Sequence, residues 1–389
     1  MHRPRVSRPI PLAAHGRSGV TDPRVAAAVA HWAPRFIAQG VDYNDFVRTT
    51  DRIRRWEDWC REWRRTAEEH EALARAAEDR DSPLAAADAW VQAAMCHHFG
   101  KFVFFDDMDQ LRSASVAAAS DFARAAPLLD PPAEAVRIPY AGRRMPGYVR
   151  RPVGVDRPPV VVLIAGLDST KEEFHTFTAL FLRRGVATLA FDGPGQGELE
   201  FDLPIEAEFE KPLGAVLDWL STRSDLDSSR VAAAGVSLGG YYVARAAAFE
   251  PRLTCAVAMG GPYAFAPNFD ALPSQTRQAF QVRSHSPDLE TARRRAAVLS
   301  LEAVANRIQQ PFLVVFGKED RLIPFQDAER LYAEISAADK RLEMYEHGNH
   351  VVNNMPYAYR PLVADWVADH LYTGHAPNIR STAQVAVSS

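Results

Sequence analysis

Two spacings of apolar residues divide the chain. From Asp22 to about Leu129 the apolar positions recur with helical spacing, alanines are frequent, glycines are few, and no stretch alternates as a strand would. Trp56, Trp59, Cys60 and Trp63 fall at i, i+3, i+4 and i+7 on one helix face, while Arg54, Arg55, Glu57, Asp58, Arg61 and Glu62 fill the opposite side. That is the pattern of a packing stripe, and we read it so rather than as a cofactor box or aromatic cage. Ser82-Pro83 has the form of an N-cap followed by proline at the first helical position, predicting a helix from Ala85 to Gly100.

The three prolines between Pro127 and Ala133 read as a linker, and beyond it the period becomes strand-like. Val136–Tyr140 and Met145–Arg150 flank Ala141-Gly142-Arg143-Arg144 and predict a β-hairpin. Short buried strands are then expected at Val160–Gly166, Val186–Asp192, Val231–Ser237, Cys255–Gly261, Phe312–Gly317 and Leu342–Tyr345. Helical patterns separate them at Glu172–Arg184, Ile205–Ser221, Gly239–Phe249, Phe325–Ile335 and Pro356–Leu371. Alternating β and α units imply an α/β fold with a doubly wound, mostly parallel sheet, preceded by an all-helical cap. The expected divisions are a flexible N-terminal arm (1–21), the helical domain (22–130), the α/β domain (134–374) and a disordered tail (375–389). Residues 262–307 interrupt the alternation with helix-like sequence and are expected to form a small excursion over the carboxyl end of the sheet.

Composition narrows the class. At 389 residues with 47% hydrophobic content, the chain can bury a large core and carry an accessory domain. A net charge of -4 gives no reason to expect nucleic acid or an anionic membrane as partner. The longest strongly apolar run, Val160–Ala165, is far too short to span a bilayer. The first segment holds Arg3, Arg5, Arg8 and Arg17 but lacks the apolar centre of a secretory signal. Cys60, Cys96 and Cys255 lie far apart in apolar contexts and are expected as buried thiols, which fits a reducing cytoplasm.

The chemistry gathers around Val231–Gly240, VAAAGVSLGG. A buried strand turning sharply into a helix through G-x-S-x-G places the serine, Ser237, at the tip of the turn. Gly235 and Gly239 stand where a Cβ would collide with the neighbouring strand or helix. Ser237 then opens a helix, and the Leu238 N–H is free to donate to a developing oxyanion. A serine hydroxyl needs a base and an orienting acid. Asp320 follows the strand ending at Gly317, and His350 follows the strand ending at Tyr345, so Ser237, Asp320 and His350 occur in the chain order of an α/β-hydrolase triad. His347 and Glu319 are the rival base and acid. The second oxyanion donor is expected from the loop Gly166-Leu167-Asp168-Ser169-Thr170, at the Leu167 N–H. Asp168 either stands beside the nucleophile or N-caps the helix that follows. His97, His98 and Phe102, near the end of a predicted helix, are candidates for a substrate pocket at the domain boundary, against ordinary structural placement. Adjacent histidines diverge by about 100° on a helix, so no metal site is expected. The glycines of Phe191-Asp192-Gly193-Pro194-Gly195-Gln196-Gly197-Glu198 are spaced G-x-G-x-G rather than G-x-G-x-x-G, so no nicotinamide or flavin is expected.

The segments GLDSTKEE, FDGPGQGE, GVSLGG, GKEDRLIP and HGNH, with HHFGKFVFFDD in the first domain, together resemble the α/β-hydrolases with an N-terminal helical cap. That family takes in hydrolases of dihydroxypseudooxynicotine and fungal pigment hydrolases that shorten polyketides. The resemblance implies water-dependent cleavage of a carbon–carbon bond next to a ketone, without metal or organic cofactor, on a small aryl-ketone, β-diketone or polyketide-like substrate. It implies a homodimer through the helical domain. Where the pyridine-degrading member carries glutamate after the Gly-Leu of the oxyanion loop, this chain has the shorter Asp168. A carboxylesterase with the same triad is the alternative, and a non-catalytic ligand-binding homologue is a third reading.

Overall fold

An alanine-rich helix with a single apolar stripe is stable only when that stripe is covered, and the first part of the chain meets this by stacking helices on one another. The computed structural model describes residues 22–373; the expected N-terminal arm and C-terminal tail lie outside the described residues. Helices α1 (Pro23–Ala38), α2 (Tyr43–Arg52), α3 (Trp59–Asp79), α4 (Pro83–Lys101) and α5 (Met108–Ala125) form the helical layer. Trp59, Cys60 and Trp63 of α3, with Trp56 in the 3-10 turn before it, are all buried. Phe36 of α1 stacks on Phe99 of α4 with ring centroids 3.8 Å apart, and the Trp59 indole donates to the Phe99 carbonyl at 3.0 Å. The aromatic stripe is therefore core. Ser82 does precede α4, but its hydroxyl turns back towards the Arg80 carbonyl and does not cap the helix.

The second part of the chain builds one eight-stranded sheet in the order β1-β2-β4-β3-β5-β6-β7-β8. The strands are β1 (Ala133–Tyr140), β2 (Arg143–Arg150), β3 (Pro159–Ile164), β4 (Ala187–Phe191), β5 (Asp227–Val236), β6 (Leu253–Met259), β7 (Phe312–Gly317) and β8 (Lys340–Tyr345). β1 and β2 form the hairpin, with Ala141 and Gly142 alone turning it at φ 46° and 72°, so the strands run closer to the tip than the four-residue loop predicts. β2 meets β4 antiparallel, and from β4 onwards every pairing is parallel. Between the strands lie α6 (His175–Leu182), α7 (Glu210–Ser221), α8 (Leu238–Ala247), α9 (Ser274–Arg283), α10 (Leu289–Ala296) and α11 (Phe325–Glu334), and α12 (Pro356–Leu371) follows the last strand.

Side chains alternate along a strand, and both faces of this sheet are covered. Val161 and Leu163 of β3 face α6 and α12, joining Phe177, Phe181, Val363 and Val367. Val160, Val162 and Ile164 face the other side, joining α7 and α8 in a buried cluster that continues without break to Trp63, Trp90 and Phe99 of the helical layer. Two expected helices start late. Lys171–Phe174 is a 3-10 turn ahead of α6, and Ile205 donates its N–H to the Arg283 carbonyl in a loop that delays α7 to Glu210. Among the described residues no helix is long and apolar enough to cross a membrane.

Because Trp63 is wholly buried among these aromatics and Leu73, on the same helix, is exposed, Trp63→Ala is expected to cost about 3–5 kcal/mol and Leu73→Ala less than about 0.5 kcal/mol. Urea unfolding of the two variants beside the parent checks this.

Candidate active site

The strand-to-helix turn after β5 is built by close backbone packing. A Cβ on Gly235 would come 2.0 Å from the Gly239 carbonyl oxygen, and one on Gly239 would come 2.3 Å from the Ile164 oxygen. Only glycine at both positions lets α8 fold back this tightly against β5 and β3. Ser237, between them, is held at φ 55° and ψ -125°, a strained conformation for a residue with a side chain. Its N–H donates to the Met259 carbonyl at 2.8 Å, which ties the turn to β6.

Two loops from neighbouring strands reach that serine. His350 Nε2 lies 2.8 Å from Ser237 Oγ, and His350 Nδ1 lies 2.7 Å from Asp320 Oδ2. The Asp320 side chain is fully buried, and its other oxygen accepts the N–H groups of Leu322 and Ile323 at 2.8 and 3.1 Å. The carboxylate is thereby fixed with one oxygen towards the imidazole. Such a chain can carry a proton from the hydroxyl to the ring while stabilising the imidazolium. His347 stands apart at the surface, 3.0 Å from Glu319.

The loop after β3 passes directly beside the nucleophile. A Cβ on Gly166 would lie 2.9 Å from Ser237 Cβ and 3.4 Å from its Oγ, so the residue that follows, Leu167, is delivered to the same spot. Leu238 opens α8, where an N–H has no intrahelical partner. Leu167, Asp168, Ser237, Leu238 and His350 line one narrow cavity of about 20 Å³, room for about one water molecule. Pro262, Phe265, Leu272 and Thr276 of the 262–307 segment and Leu322 and Ile323 close it from above. A larger open crevice of about 530 Å³, along Ile205, Glu208, Arg245 and Phe280, contains none of the triad.

Asp168 does not N-cap a helix: the residue before the 3-10 turn is Thr170, and no side chain caps it. The Asp168 carboxyl is buried and its Oδ1 has no hydrogen-bond partner. Burial pushes the group above the usual carboxylate range, against the opposing charges of Arg35 and Arg283. It can therefore keep a proton where most aspartates have lost theirs.

The helical layer enters the site through α1, which the sequence did not single out. Trp32 and Arg35 both line the cavity. Arg35 bridges Glu173 with contacts of 2.6 and 3.1 Å and donates to Ser169 Oγ at 2.9 Å, so it clasps the loop after β3 directly. His98 completes the clasp, 2.7 Å from Glu173 Oε1. Although burial opposes ionisation of Glu173, the Arg35 charge and the His98 contact hold it down at about 2. A second buried cation supports the loop from below, with Lys171 Nζ 2.6, 2.7 and 2.9 Å from Glu172, Asp192 and Glu198. The glycine-rich segment after β4 contributes there too, as Gln196 donates to the Ala165 carbonyl at 2.6 Å.

Three expected pocket residues are placed elsewhere. His97 points into the helical layer, 3.1 Å from Glu71 and 3.6 Å from Asp121. Those three side chains lie close enough to one another to hold a cation. His98 is spent on Glu173, and Phe102 packs one layer behind the cavity wall, against Trp32 and under the Arg35 guanidinium at 4.4 Å. The helical face that ends α4 thus supports the residues that line the cavity and does not line it.

Residues 42–372 match a family model described as esterase FrsA-like. The 2,6-dihydropseudooxynicotine hydrolase of Paenarthrobacter nicotinovorans is 33% identical over 343 residues, which is 87% of this chain and 92% of that protein. The 20-hydroxy-prefusarin hydrolase FUS2 of Gibberella moniliformis is 33% identical over 240 residues, 58% of this chain and 57% of the relative. The crystal structure of 2,6-dihydroxy-pseudo-oxynicotine hydrolase superposes with a TM-score of 0.82 at 33% identity, covering 89% of this chain and 98% of that one.

Arg35→Met leaves Glu173 buried without its cation and is expected to cost about 3–5 kcal/mol at about pH 7. Ionised Glu173 stabilises the fold above the unfolded carboxylate value of about 4.3, and that contribution is lost as pH falls towards about 2. Urea unfolding of parent and variant should therefore differ most near neutrality, with the gap narrowing below about pH 4 and closing only as the pH approaches about 2.

Proposed function

The chain belongs to the FrsA-like esterase family of α/β-hydrolases, and from that membership we propose a serine-dependent hydrolase that cleaves a carbon–carbon bond next to a ketone in an aryl-ketone, β-diketone or polyketide-like substrate. The observation that carries this reading is the buried Asp168 carboxyl, unpartnered at Oδ1 and lining the same cavity as Ser237. Ester hydrolysis has no use for a second acid, because an alkoxide leaves and takes its proton from the imidazolium. A carbanion leaving group needs a proton supplied at carbon.

In this mechanism His350, oriented by Asp320, takes the Ser237 proton as Oγ attacks the ketone carbon, and the Leu167 and Leu238 N–H groups hold the oxyanion. Collapse of the tetrahedral intermediate breaks the carbon–carbon bond, and the departing carbon takes its proton from Asp168. The His350 imidazolium reprotonates Asp168, directly or through a water. Water then attacks the acyl-serine with His350 as base, Ser237 recovers its proton, and a carboxylic acid leaves. The chemistry is complete with the side chains and backbone groups named, and a small-molecule substrate is implied. Since the cavity holds only about 20 Å³, the substrate is admitted by movement of the 262–307 segment or of α1. The reading takes the protein as cytoplasmic, supported by three buried unpaired cysteines, and as a homodimer through the helical layer on the resemblance alone. The esterase description of the family favours a second reading, a carboxylesterase with the same triad.

Turnover of acyl-phenyl ketones beside short-chain nitrophenyl esters separates the two. Ser237→Ala should abolish both, by about 10⁴-fold or more. Asp168→Asn is expected to slow ketone cleavage by about 10²–10⁴-fold while leaving ester cleavage much less affected. An equal loss on both substrates would reduce Asp168 to a support of the loop, and fast ester cleavage with no ketone cleavage would select the esterase.

A further inference from the structure

Beside the narrow cavity at Ser237 lies a second, wider and more polar one. It occupies about 160 Å³ between α1 and the loops after β7 and β8, lined by His31, Trp32, Arg35, Glu319, Arg321, Asn349, His350 and Asn353. Trp32, Arg35 and His350 belong to both cavities, so the two are separated by side chains and not by backbone. The narrow cavity is walled largely by apolar groups, including Phe265, Leu272, Leu322 and Ile323. The wide one adds the charged side chains of Arg321 and Glu319 and the amides of Asn349 and Asn353.

Two polar atoms in it are buried without a partner, His31 Nε2 and Asn353 Oδ1. Unsatisfied buried polar groups are uncommon and call for a reason. The charges around the chamber are also unevenly committed. Arg35 is bound to Glu173, Glu319 is bound to His347, and Asp320 is bound to His350. Arg321 has no ion pair or hydrogen bond among the described residues and so is the uncommitted cation at the mouth. Burial, helped by the neighbouring His350 and Arg321 and opposed by the Asp320 charge, pushes the His31 imidazole down to about 4. Near neutrality it is an uncharged ring able to donate one N–H.

We propose that this chamber is a carboxylate-binding site adjoining the catalytic serine, in which Arg321 and the His31 Nε2–H receive the anion. Planar guanidinium matches carboxylate geometry, and His31 supplies a second donor from the opposite wall. The assignment rests on the hydrolase reading only in that every turnover, of ketone or ester, ends by releasing a carboxylic acid next to His350. The carboxylate has two sources: the acid formed at Ser237, or an acidic group already borne by the acyl half of the substrate. In either case the leaving half lies towards Phe265 and Leu272, and the acyl half points towards Arg321.

The test uses direct binding, so that it survives failure of the catalytic assignment. Benzoate and benzamide are titrated into the Ser237→Ala protein by calorimetry, with Trp32 fluorescence as a second readout. Benzoate should bind, and Arg321→Gln should weaken it by roughly tenfold or more, the scale of a lost charge-assisted hydrogen bond, leaving benzamide unchanged. His31→Phe should weaken benzoate by a smaller factor. No benzoate binding, or binding that neither substitution alters, would overturn the proposal. The source is read from kcat/KM for phenyl hemiadipate against phenyl hexanoate in the Ser237 enzyme. A preference for the acid ester that Arg321→Gln removes assigns the site to the substrate, and an unchanged ratio together with weakened benzoate assigns it to the released acid. If neither ester nor ketone is turned over while benzoate binding still depends on Arg321, the catalytic reading has failed and the anion site stands.

Discussion

The site depends first on a steric constraint, the absence of side chains at three glycines packed around Ser237. Gly235, Gly239 and Gly166 bring β5, α8 and the loop after β3 within backbone contact of one another. Without that approach the serine could not be held at φ 55°, a conformation that costs on the order of 1–3 kcal/mol and persists only where its surroundings enforce it. Two consequences follow from the same packing. The hydroxyl is turned out towards His350, and Leu167 and Leu238 are brought to the same cavity. The positions of Ser237, Leu167 and Leu238 are thus set by backbone geometry before any polar side chain is considered.

A second layer of organisation is electrostatic and joins the two parts of the chain. The Arg35–Glu173–His98 clasp is deeply buried, and burying an ion pair recovers little net stability once desolvation is counted. Its value is positional. Glu173 belongs to the loop that carries Leu167 and Asp168, so fixing it against α1 and α4 fixes the height of that loop over Ser237. Lys171, with its three carboxylates, holds the same loop against the strand ending at Phe191. The helical layer is therefore part of the active-site frame as well as its roof, consistent with the single buried cluster that runs through both.

This division explains what could be read from the sequence. Strands β3 to β8 announce themselves as short apolar runs, and Ser237, Asp320 and His350 follow strand ends in a fixed order, so their signals are local. Arg35 carries no local signal. It is one arginine on an amphipathic helix, and its partner lies 138 residues away. His98 and Glu173, 75 residues apart, pose the same difficulty. The sequence marked a helix from Ala85 to Gly100 but not which neighbour each of its sides would meet, and in the structure its whole second half is buried. That is why His97, His98 and Phe102 were expected in the pocket and are found behind it. Asp168 was ambiguous for a related reason: Asp-Ser-Thr-Lys-Glu-Glu is a good helix start, and the choice between cap and cavity is made by the backbone of Gly166 and not by the acidic residue.

Asp168 and Glu173 show how one short loop can hold two carboxyl groups in opposite states. Glu173 meets a guanidinium through two contacts and an imidazole through a third, and is held ionised. Asp168 has an oxygen that meets nothing, and burial drives it the other way. Both carboxyls are desolvated and both feel the Arg35 charge, so the difference comes from the direct hydrogen bonds that Arg35 and His98 give to Glu173. Environments that push neighbouring carboxyls apart are how a single site obtains both a fixed anion and a proton donor near neutral pH. Had Arg35 turned towards Asp168, the loop would have gained an ion pair beside Ser237 and lost its acid. On the proposed mechanism, the hydrogen bonds that one arginine from α1 gives to Glu173 and not to Asp168 bear on the choice between carbon and oxygen as leaving atom, because the Ser237–His350–Asp320 set would serve both reactions equally.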